Sequence, residues 1–73
     1  MVEVRLFATL RQGREKIYHF EVDQVPHGLG VLEQLSIEPE EVKIFLINGR
    51  HSALESELSD GDIVSVFPAV GGG

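Results

Sequence analysis

Residues 1–22 have the sequence MVEVRLFATLRQGREKIYHFEV, in which two stretches alternate between polar and apolar side chains. From residue 2 to residue 9 the alternation has a period of two residues, which predicts a β-strand with one buried face. The pattern returns over residues 16–22, and the polar segment 11–14 between the stretches contains a glycine. A glycine-containing loop of this length predicts a β-hairpin. Because one hairpin is only marginally stable alone, we expect another element to pack on it.

A short helix is predicted after this hairpin. Leu29, Leu32 and Leu35 follow helical spacing, and such a stripe is typical of a helix that lies across a sheet. Its beginning is poorly defined, since Gly28 and Gly30 each disfavour a helix by up to about 1 kcal/mol. No Ser, Thr, Asp or Asn stands at the expected N-cap position. We expect the helix to end before Pro39, where the acidic residues also suit a further helical turn.

The second half of the chain predicts three more strands. Residues 42–48 are apolar on both faces, which is typical of a strand in the middle of a sheet. Asn48-Gly49 favours a type I′ hairpin turn, in which both central residues need a positive φ. Residues 50–54 would form a short return strand, residues 59–62 a second turn, and residues 63–67 the last strand, ended by Pro68. Strands with one helix predict an α+β roll, a mixed sheet of four to five strands with the helix on one face.

The composition excludes several classes of protein. The chain has 73 residues, no cysteine, 42% hydrophobic residues and a net charge of −6. Such a chain predicts one packed domain without disulfides or thiolate metal sites. An acidic chain lacks the basic footprint of a nucleic-acid binder, and no apolar run is long enough to span a bilayer. Since residues 1–10 do not resemble a signal peptide, we expect a cytoplasmic protein.

The charge is unevenly distributed along the chain. Residues 1–16 have a balance of +2, whereas residues 17–73 have a balance of −8. The acidic stretch from Glu33 to Asp62 fits a solvated face that favours solubility. It also fits a docking surface for basic partners, and the sequence does not separate these interpretations.

No catalytic or metal-binding pattern is evident. The three histidines, His19, His27 and His51, are not spaced as metal ligands on one helix. None of the serines lies in a G-x-S-x-G context. A self-contained enzyme is therefore the class that the sequence supports least.

The last three residues, Gly71, Gly72 and Gly73, follow the predicted last strand closely. Glycine has no side chain and adopts almost any backbone conformation, so we expect residues 69–73 to form a flexible tail outside a folded domain of residues 1–68. From residue 70 onward the tail could extend by roughly 13 Å and enter a channel too narrow for a Cβ. The carboxylate at its tip would be an unhindered group for a partner enzyme to activate. An inert terminus remains the alternative interpretation.

Four segments carry a resemblance to a known family. The chain resembles the ubiquitin-like sulfur carriers with a β-grasp fold, the MoaD/ThiS family, and most of all the small subunit of molybdopterin synthase. The resembling segments are VRLFATLR at 4–11, INGR at 47–50, LSDGDIV at 58–64 and VFPAVGGG at 66–73. The resemblance implies that the first and last strands are neighbours in the middle of the sheet.

The resemblance also implies a function for the tail. Gly73 would carry the carboxylate that an enzyme resembling the ubiquitin E1 adenylates with ATP and that sulfur transfer then converts to a thiocarboxylate. The tail, with Gly71 and Gly72, would enter the active site of a large synthase subunit. The sulfur would go to a pterin precursor in molybdenum cofactor biosynthesis. The carrier itself would be no enzyme and would bind no cofactor.

The same resemblance implies an interface for the activating enzyme. Phe7, Arg11 and Phe67 match positions at which the family contacts that enzyme, and Pro68 adjoins them. Alternation along the first strand places Phe7 on the face opposite Leu6, where it would be an exposed aromatic or part of a second small core. Exposed aromatic side chains are enriched in protein interfaces.

Three alternatives stay open. A carrier of this kind could supply sulfur to thiamine, cysteine or tungsten-cofactor metabolism. The same tail would serve a ubiquitin-like modifier joined to protein lysines. A plain β-grasp interaction module with an inert tail is the third.

Overall fold

The alternating apolar residues at both ends of the chain form the central strands of one sheet. The computed structural model describes residues 1–69. It contains, in chain order, β1 (Val2–Leu6), β2 (Ile17–Phe20), α1 (Gly28–Leu35), β3 (Val42–Ile47), β4 (Arg50–His51) and β5 (Ile63–Pro68). Two 3₁₀ helices, Ala8–Arg11 and Pro39–Glu41, precede β2 and β3.

The five strands form a mixed sheet in the order β2-β1-β5-β3-β4. β1 and β5 are parallel, with Val4 opposite Val64, while the other neighbouring pairs are antiparallel. The predicted adjacency of the first and last strands is therefore confirmed. A hairpin, one crossing helix and a central parallel pair together define the β-grasp fold, so the predicted fold class is confirmed.

The core lies between α1 and one face of the sheet. Its buried side chains are all hydrophobic, and the described residues bury no polar or charged side chain. The core consists of Val2, Val4, Leu6, Leu10, Val25, Val31, Leu32, Ile37, Phe45, Leu58, Val64 and Val66. Tyr18 and Phe20 pack against this core, as the alternation in β2 predicts. We call this face of the sheet the helix side and the opposite face the outer face.

α1 begins in a way that the sequence did not indicate. His27 is its N-cap, and its Nδ1 atom accepts a hydrogen bond from the Gly30 amide at 3.2 Å. At Gly28 a Cβ atom would stand 2.6 Å from both the Phe45 ring and the Leu54 carbonyl oxygen. Gly28 therefore allows the helix to approach β3 closely, which outweighs its unfavourable helix propensity.

Each predicted strand end is wrong by one to three residues, and β2 and β3 end at Phe20 and Ile47 instead of residues 22 and 48. β1 ends at Leu6, because Ala8 has a φ of 53° and begins a 3₁₀ helix. β4 ends at His51 instead of residue 54. Pro68 belongs to β5, where it pairs with Val42; a proline is tolerated at a strand end because a missing N–H interrupts little of the ladder there.

Both predicted turns are confirmed. Asn48 and Gly49 have φ values of 52° and 80°, as a type I′ turn requires. The Asn48 side chain also connects the turn to β5, since its Oδ1 accepts from the Ile63 amide at 2.9 Å. Gly61, in the second turn, has a φ of 93°.

Candidate functional site

Two predicted interface residues form an aromatic stack on the outer face. The parallel pairing of Leu6 with Val66 places the residues that follow them, Phe7 and Phe67, side by side. Their ring centroids are 4.3 Å apart and the ring planes differ by 9°. Both rings are half-buried, and neither belongs to the core or packs against it. A pair of this kind contributes about 0.5–1.5 kcal/mol beyond the area it buries.

Arg11 extends this stack by a third layer. Its guanidinium carbon lies 5.3 Å from the centroid of the Phe7 ring, a distance at which a cation–π interaction contributes about 0.5–1 kcal/mol. Arg11 Nε also donates to the Leu6 carbonyl oxygen at 2.8 Å. The structure thus brings together Arg11, Phe7 and Phe67, with the arginine exposed. We call these three residues the aromatic stack.

The loop that carries Arg11 is held by a second arginine. Arg14 donates from its three guanidinium nitrogens to the carbonyl oxygens of Leu10, Leu35 and Ser36, at 3.1–3.2 Å. Two of these carbonyls end α1, where a cation is also favoured by the helix dipole. Sequence reasoning placed Arg14 only in a turn and missed this function. A planar guanidinium with several N–H donors suits a bridge between separate carbonyl oxygens. No pattern in the sequence around Arg14 indicates which carbonyls accept.

Pro68, the fourth predicted interface residue, follows Phe67 in β5 and lies on the opposite face of the sheet from the aromatic stack. Alternation along β5 places Pro68 on the helix side, opposite Val42. The next amide, that of Ala69, donates to the Glu41 carbonyl oxygen at 2.8 Å. The end of the second 3₁₀ helix thus holds the chain at the last described residue. The predicted tail residues Gly71, Gly72 and Gly73 lie outside the described residues, and the predicted domain boundary stays a prediction.

A cleft of about 350 Å³ adjoins this end of β5. Its walls are formed by Thr9, Leu10, Gln12, Arg14, Glu40, Glu41, Pro68 and Ala69. The point from which the chain continues toward Gly73 is therefore bordered by the first 3₁₀ helix on one side. On the other it is bordered by the second 3₁₀ helix, with its two exposed carboxylates.

The outer face also carries aliphatic side chains that the sequence analysis did not assign to an interface. Ile44 and Leu46 are opposite Phe67 and Ser65 in the register of β3 with β5. Both are half-buried, as is Ile63, and none of the three packs against the core. The apolar pattern on both faces of β3 predicted a strand in the middle of a sheet, and β3 does lie between β5 and β4. Within residues 1–69 only the helix side is covered.

One acidic residue lies on the outer face. Glu3 Oε2 accepts from Arg5 Nε at 2.6 Å, and Glu3 Oε1 lies 3.3 Å from His19 Nε2 on the neighbouring strand. The hydrogen bond from Arg5 is the main reason why the pKa of Glu3 is below its ordinary value. The Glu3 carboxylate is therefore charged at neutral pH, and the charge of Arg5 on the same face balances it.

The histidines occupy three unrelated places: His19 beside Glu3, His27 at the start of α1, and His51 exposed in β4. Among residues 1–69 no group of three His, Cys, Asp or Glu side chains is arranged to hold a metal ion. In the same part of the chain no helix combines the length and the apolar character that crossing a membrane requires.

Comparison with known proteins agrees with this architecture. The β-grasp fold, with the aromatic stack on its outer face, is that of a ubiquitin-like protein. The ThiS family model matches residues 4–73, so the chain belongs to the ThiS family. The predicted resemblance is confirmed at this level: the protein is a ThiS/MoaD-like member of the ubiquitin-fold carriers and modifiers.

Three solved structures are similar over nearly the whole chain. The Haloferax volcanii HVO 2177 protein is 37% identical, with a TM-score of 0.72 over 99% of this chain and 85% of that one. SAMP1 from Haloferax volcanii is 26% identical, with a TM-score of 0.74 over 99% and 98%. A putative molybdopterin converting factor subunit 1 from Pyrococcus furiosus is 28% identical, with a TM-score of 0.71 over 94% and 97%. No curated protein gives a significant match.

Proposed function

We propose that the protein is a sulfur carrier that acts through the carboxylate of Gly73. An E1-like enzyme would use ATP to form an acyl-adenylate at this carboxylate. Sulfur transfer would then displace AMP and leave a thiocarboxylate. The observation that carries the proposal is the family match, which extends through residue 73 and so includes all three terminal glycines.

The geometry of the described residues supports this function. The Ala69 amide is held by the Glu41 carbonyl oxygen, so the tail begins at a defined point beside the second 3₁₀ helix. The aromatic stack lies on the outer face, and its member Phe67 is two residues before Ala69. A partner that docks on the stack would therefore find the start of the tail at a constant position. This is what an enzyme needs in order to position the Gly73 carboxylate in its own active site.

For the sulfur acceptor we propose a pterin precursor in molybdenum cofactor biosynthesis. The support is the similarity to the Pyrococcus furiosus protein, which is described as subunit 1 of a molybdopterin converting factor. By the same reasoning this chain would be the small, non-catalytic subunit and a large synthase subunit would accept its tail. The thiamine, cysteine and tungsten-cofactor pathways are the alternatives, and the proposed place of the reaction is the cytoplasm.

The experiment for this proposal is ATP–pyrophosphate exchange by the adenylating enzyme of the same organism. The wild-type chain should support exchange, whereas a chain with one alanine appended after Gly73 should not, because its terminal carboxylate lies one residue further out and is attached to a Cα that bears a methyl group. Circular dichroism of both proteins provides the folding control. Equal exchange with the extended chain would contradict a function of the Gly73 carboxylate.

A protein modifier is the second candidate, favoured by the similarity to SAMP1, which is named as a small archaeal modifier protein. In that case Gly73 would form an isopeptide bond with lysines of other proteins. Immunoblots of cell extracts should then show discrete conjugates of high mass that disappear when Gly73 is deleted. A single band at the mass of the free chain would exclude this function under the conditions used.

A further inference from the structure

We propose that the open edge of β2 pairs with the same edge of a second copy of the chain, so that two sheets join into one around a two-fold axis at Tyr18. β2 is the first strand in the order of the sheet. At the other edge, β4 has only two residues, so β2 is the longer of the two open edges. This inference does not depend on the carrier function, because it concerns a different part of the sheet.

Half of the backbone groups of β2 point away from β1. The Leu6 amide donates to the Lys16 carbonyl oxygen at 2.8 Å, so Tyr18, two residues further on, also bonds to β1 in this antiparallel ladder. The N–H and C=O groups of Ile17 and His19 therefore point outward. Within residues 1–69 no hydrogen bond reaches the backbone of either residue on that side. Such unpaired groups are a template for another strand.

The chain closes both ends of this open edge. At one end the Glu21 amide donates to Gln24 Oε1 at 3.0 Å, and the Glu21 carbonyl oxygen accepts from the Gln24 amide at 2.9 Å. At the other end the Glu15 amide donates to the Tyr18 hydroxyl at 2.8 Å. A full exchange of hydrogen bonds with a partner strand is therefore possible only at the two free residues.

This restriction selects one register for two copies. In an antiparallel ladder each hydrogen-bonded pair of residues exchanges two bonds. With Ile17 of each copy opposite His19 of the other, every free N–H and C=O group at the edge is paired. A shift by two residues in either direction would place one free residue opposite a group that the chain already uses. The edge is therefore complementary to itself, as an interface with two-fold symmetry requires.

The side chains suit the same register. Ile17 is 48% exposed and lies on the outer face, where it would contact the His19 ring of the second copy. On the helix side the two Tyr18 rings would meet at the axis, and each already stacks on Phe20 at a centroid distance of 6.0 Å. Lys16 would face Phe20 of the second copy, which suits a cation–π contact.

Charge limits the strength of this dimer. β2 itself contains no acidic residue, but Glu15 of each copy would lie near Glu21 of the other, and each chain has a net charge of −6. Since β2 has only four residues, the interface should be small, below about 1,200 Å² in total. We therefore expect a weak dimer that salt strengthens, because screening reduces the repulsion.

The pairing stops at two copies and leaves the candidate functional site open. Once β2 is paired, the outer edges of the joined sheet are the two-residue β4 strands, which are too short to add further copies. β1 separates β2 from β5, so the aromatic stack and Ala69 are not covered. The dimer would present two tails to its partners.

The test compares His19→Pro with His19→Ala by sedimentation equilibrium at concentrations up to about 1 mM. Proline removes only the outward N–H and so keeps the ladder with β1, whereas alanine removes the side chain and keeps the N–H. We expect His19→Ala to dimerise within about 3-fold of the wild type and His19→Pro to associate roughly 10-fold more weakly, because two hydrogen bonds are lost. Circular dichroism checks that each variant is folded.

Ile17→Glu provides a second test that leaves the backbone unchanged. It replaces the apolar contact with a carboxylate near Glu21 of the second copy, and should weaken association roughly 10-fold. Ala53→Glu, at an exposed residue beyond β4, changes the net charge equally and should have much less effect. A wild type that stays monomeric up to the highest concentration would contradict the proposal. A dimer that Ile17→Glu weakens no more than Ala53→Glu does would also contradict it, even if His19→Pro fails to fold.

Discussion

At the residue scale, Gly28 shows how a packing contact overrides a local preference. Helix propensity alone makes a glycine in the first turn of α1 unfavourable. In the fold, the absence of a side chain lets the helix lie against the Phe45 ring and the Leu54 carbonyl. Since both neighbours are distant in sequence, no pattern around Gly28 could indicate this contact.

Gly28→Ala should therefore destabilise the protein by about 1–3 kcal/mol, as overpacking in a core does. The matched control is Gly30→Ala, whose Cβ would be 3.4 Å from its nearest neighbour, the Val25 Cα atom. That substitution should be neutral or should stabilise the protein by up to about 1 kcal/mol through helix propensity. Urea unfolding of the two variants measures the difference. Equal stabilities would contradict the close approach at Gly28.

The candidate interface was predictable to a different degree at each residue. Phe7 could be placed on the outer face because alternation along β1 is a local property. Its contact with Phe67 depends on the adjacency and the parallel register of β1 and β5. The resemblance implied that these strands are neighbours, but their register was not predicted. Arg11 was named from the resemblance, and its position over Phe7 follows from the 3₁₀ helix that replaces the end of the predicted strand.

At the scale of elements, α1 is held at both ends by side chains outside it. His27 accepts a hydrogen bond at its beginning, and Arg14 donates to the carbonyls at its end. The helix has only eight residues, a length at which an isolated helix is not stable in water. Its stability therefore comes from these caps and from the core. The sequence predicted the apolar stripe but neither cap, because histidine is a rare N-cap and Arg14 acts across the fold.

Replacing Arg14 should loosen the loop that carries Arg11 together with the end of α1. Arg14→Ala leaves three carbonyl oxygens without their charged donor, and a hydrogen bond to a charged group has a net value of about 1.5–3 kcal/mol. Because these carbonyls are only partly buried or exposed, water replaces part of what is lost. We expect a net loss of about 1–2 kcal/mol in the free energy of unfolding. Faster hydrogen exchange should appear near Leu10 and Ser36.

Arg14→Lys provides a finer test of the same bridge. A single ammonium group cannot reproduce a fork that reaches three separate carbonyls, so lysine should recover only part of the lost stability. Arg50→Ala is the control for an exposed arginine and should change stability by less than about 0.5 kcal/mol. If Arg14→Ala is as stable as this control, the bridge contributes nothing.

At the scale of the whole molecule, the fold followed from alternation, two glycine turns and one apolar helical stripe. The order of the strands in the sheet could not be predicted from the residues alone, since several orders are compatible with the same sequence pattern. The distribution of charge in the fold was not accessible at all. Along the chain the basic residues cluster before residue 17, whereas in the fold only one of the twelve acidic residues, Glu3, belongs to a strand.

The different use of the two faces of the sheet explains how so small a chain would work as the proposed carrier. Its helix side is used for the core, its outer face is available to a partner, and β5 leads from that face toward the terminal glycines. No pocket for a substrate is needed, because the proposed reactive group is a carboxylate that the partner takes into its own active site. The missing cysteine agrees with this view, since the sulfur would be bound to the backbone terminus.

The intact mass of the chain after activation tests the central claim most directly. The protein would be incubated with the adenylating enzyme, ATP and a sulfur donor, and fragmentation would locate any change. A gain of about 16 Da confined to Gly73 is expected, because one oxygen of the carboxylate is replaced by sulfur. An unchanged mass under conditions in which the enzyme adenylates the chain, or a gain at another residue, would contradict the carrier function.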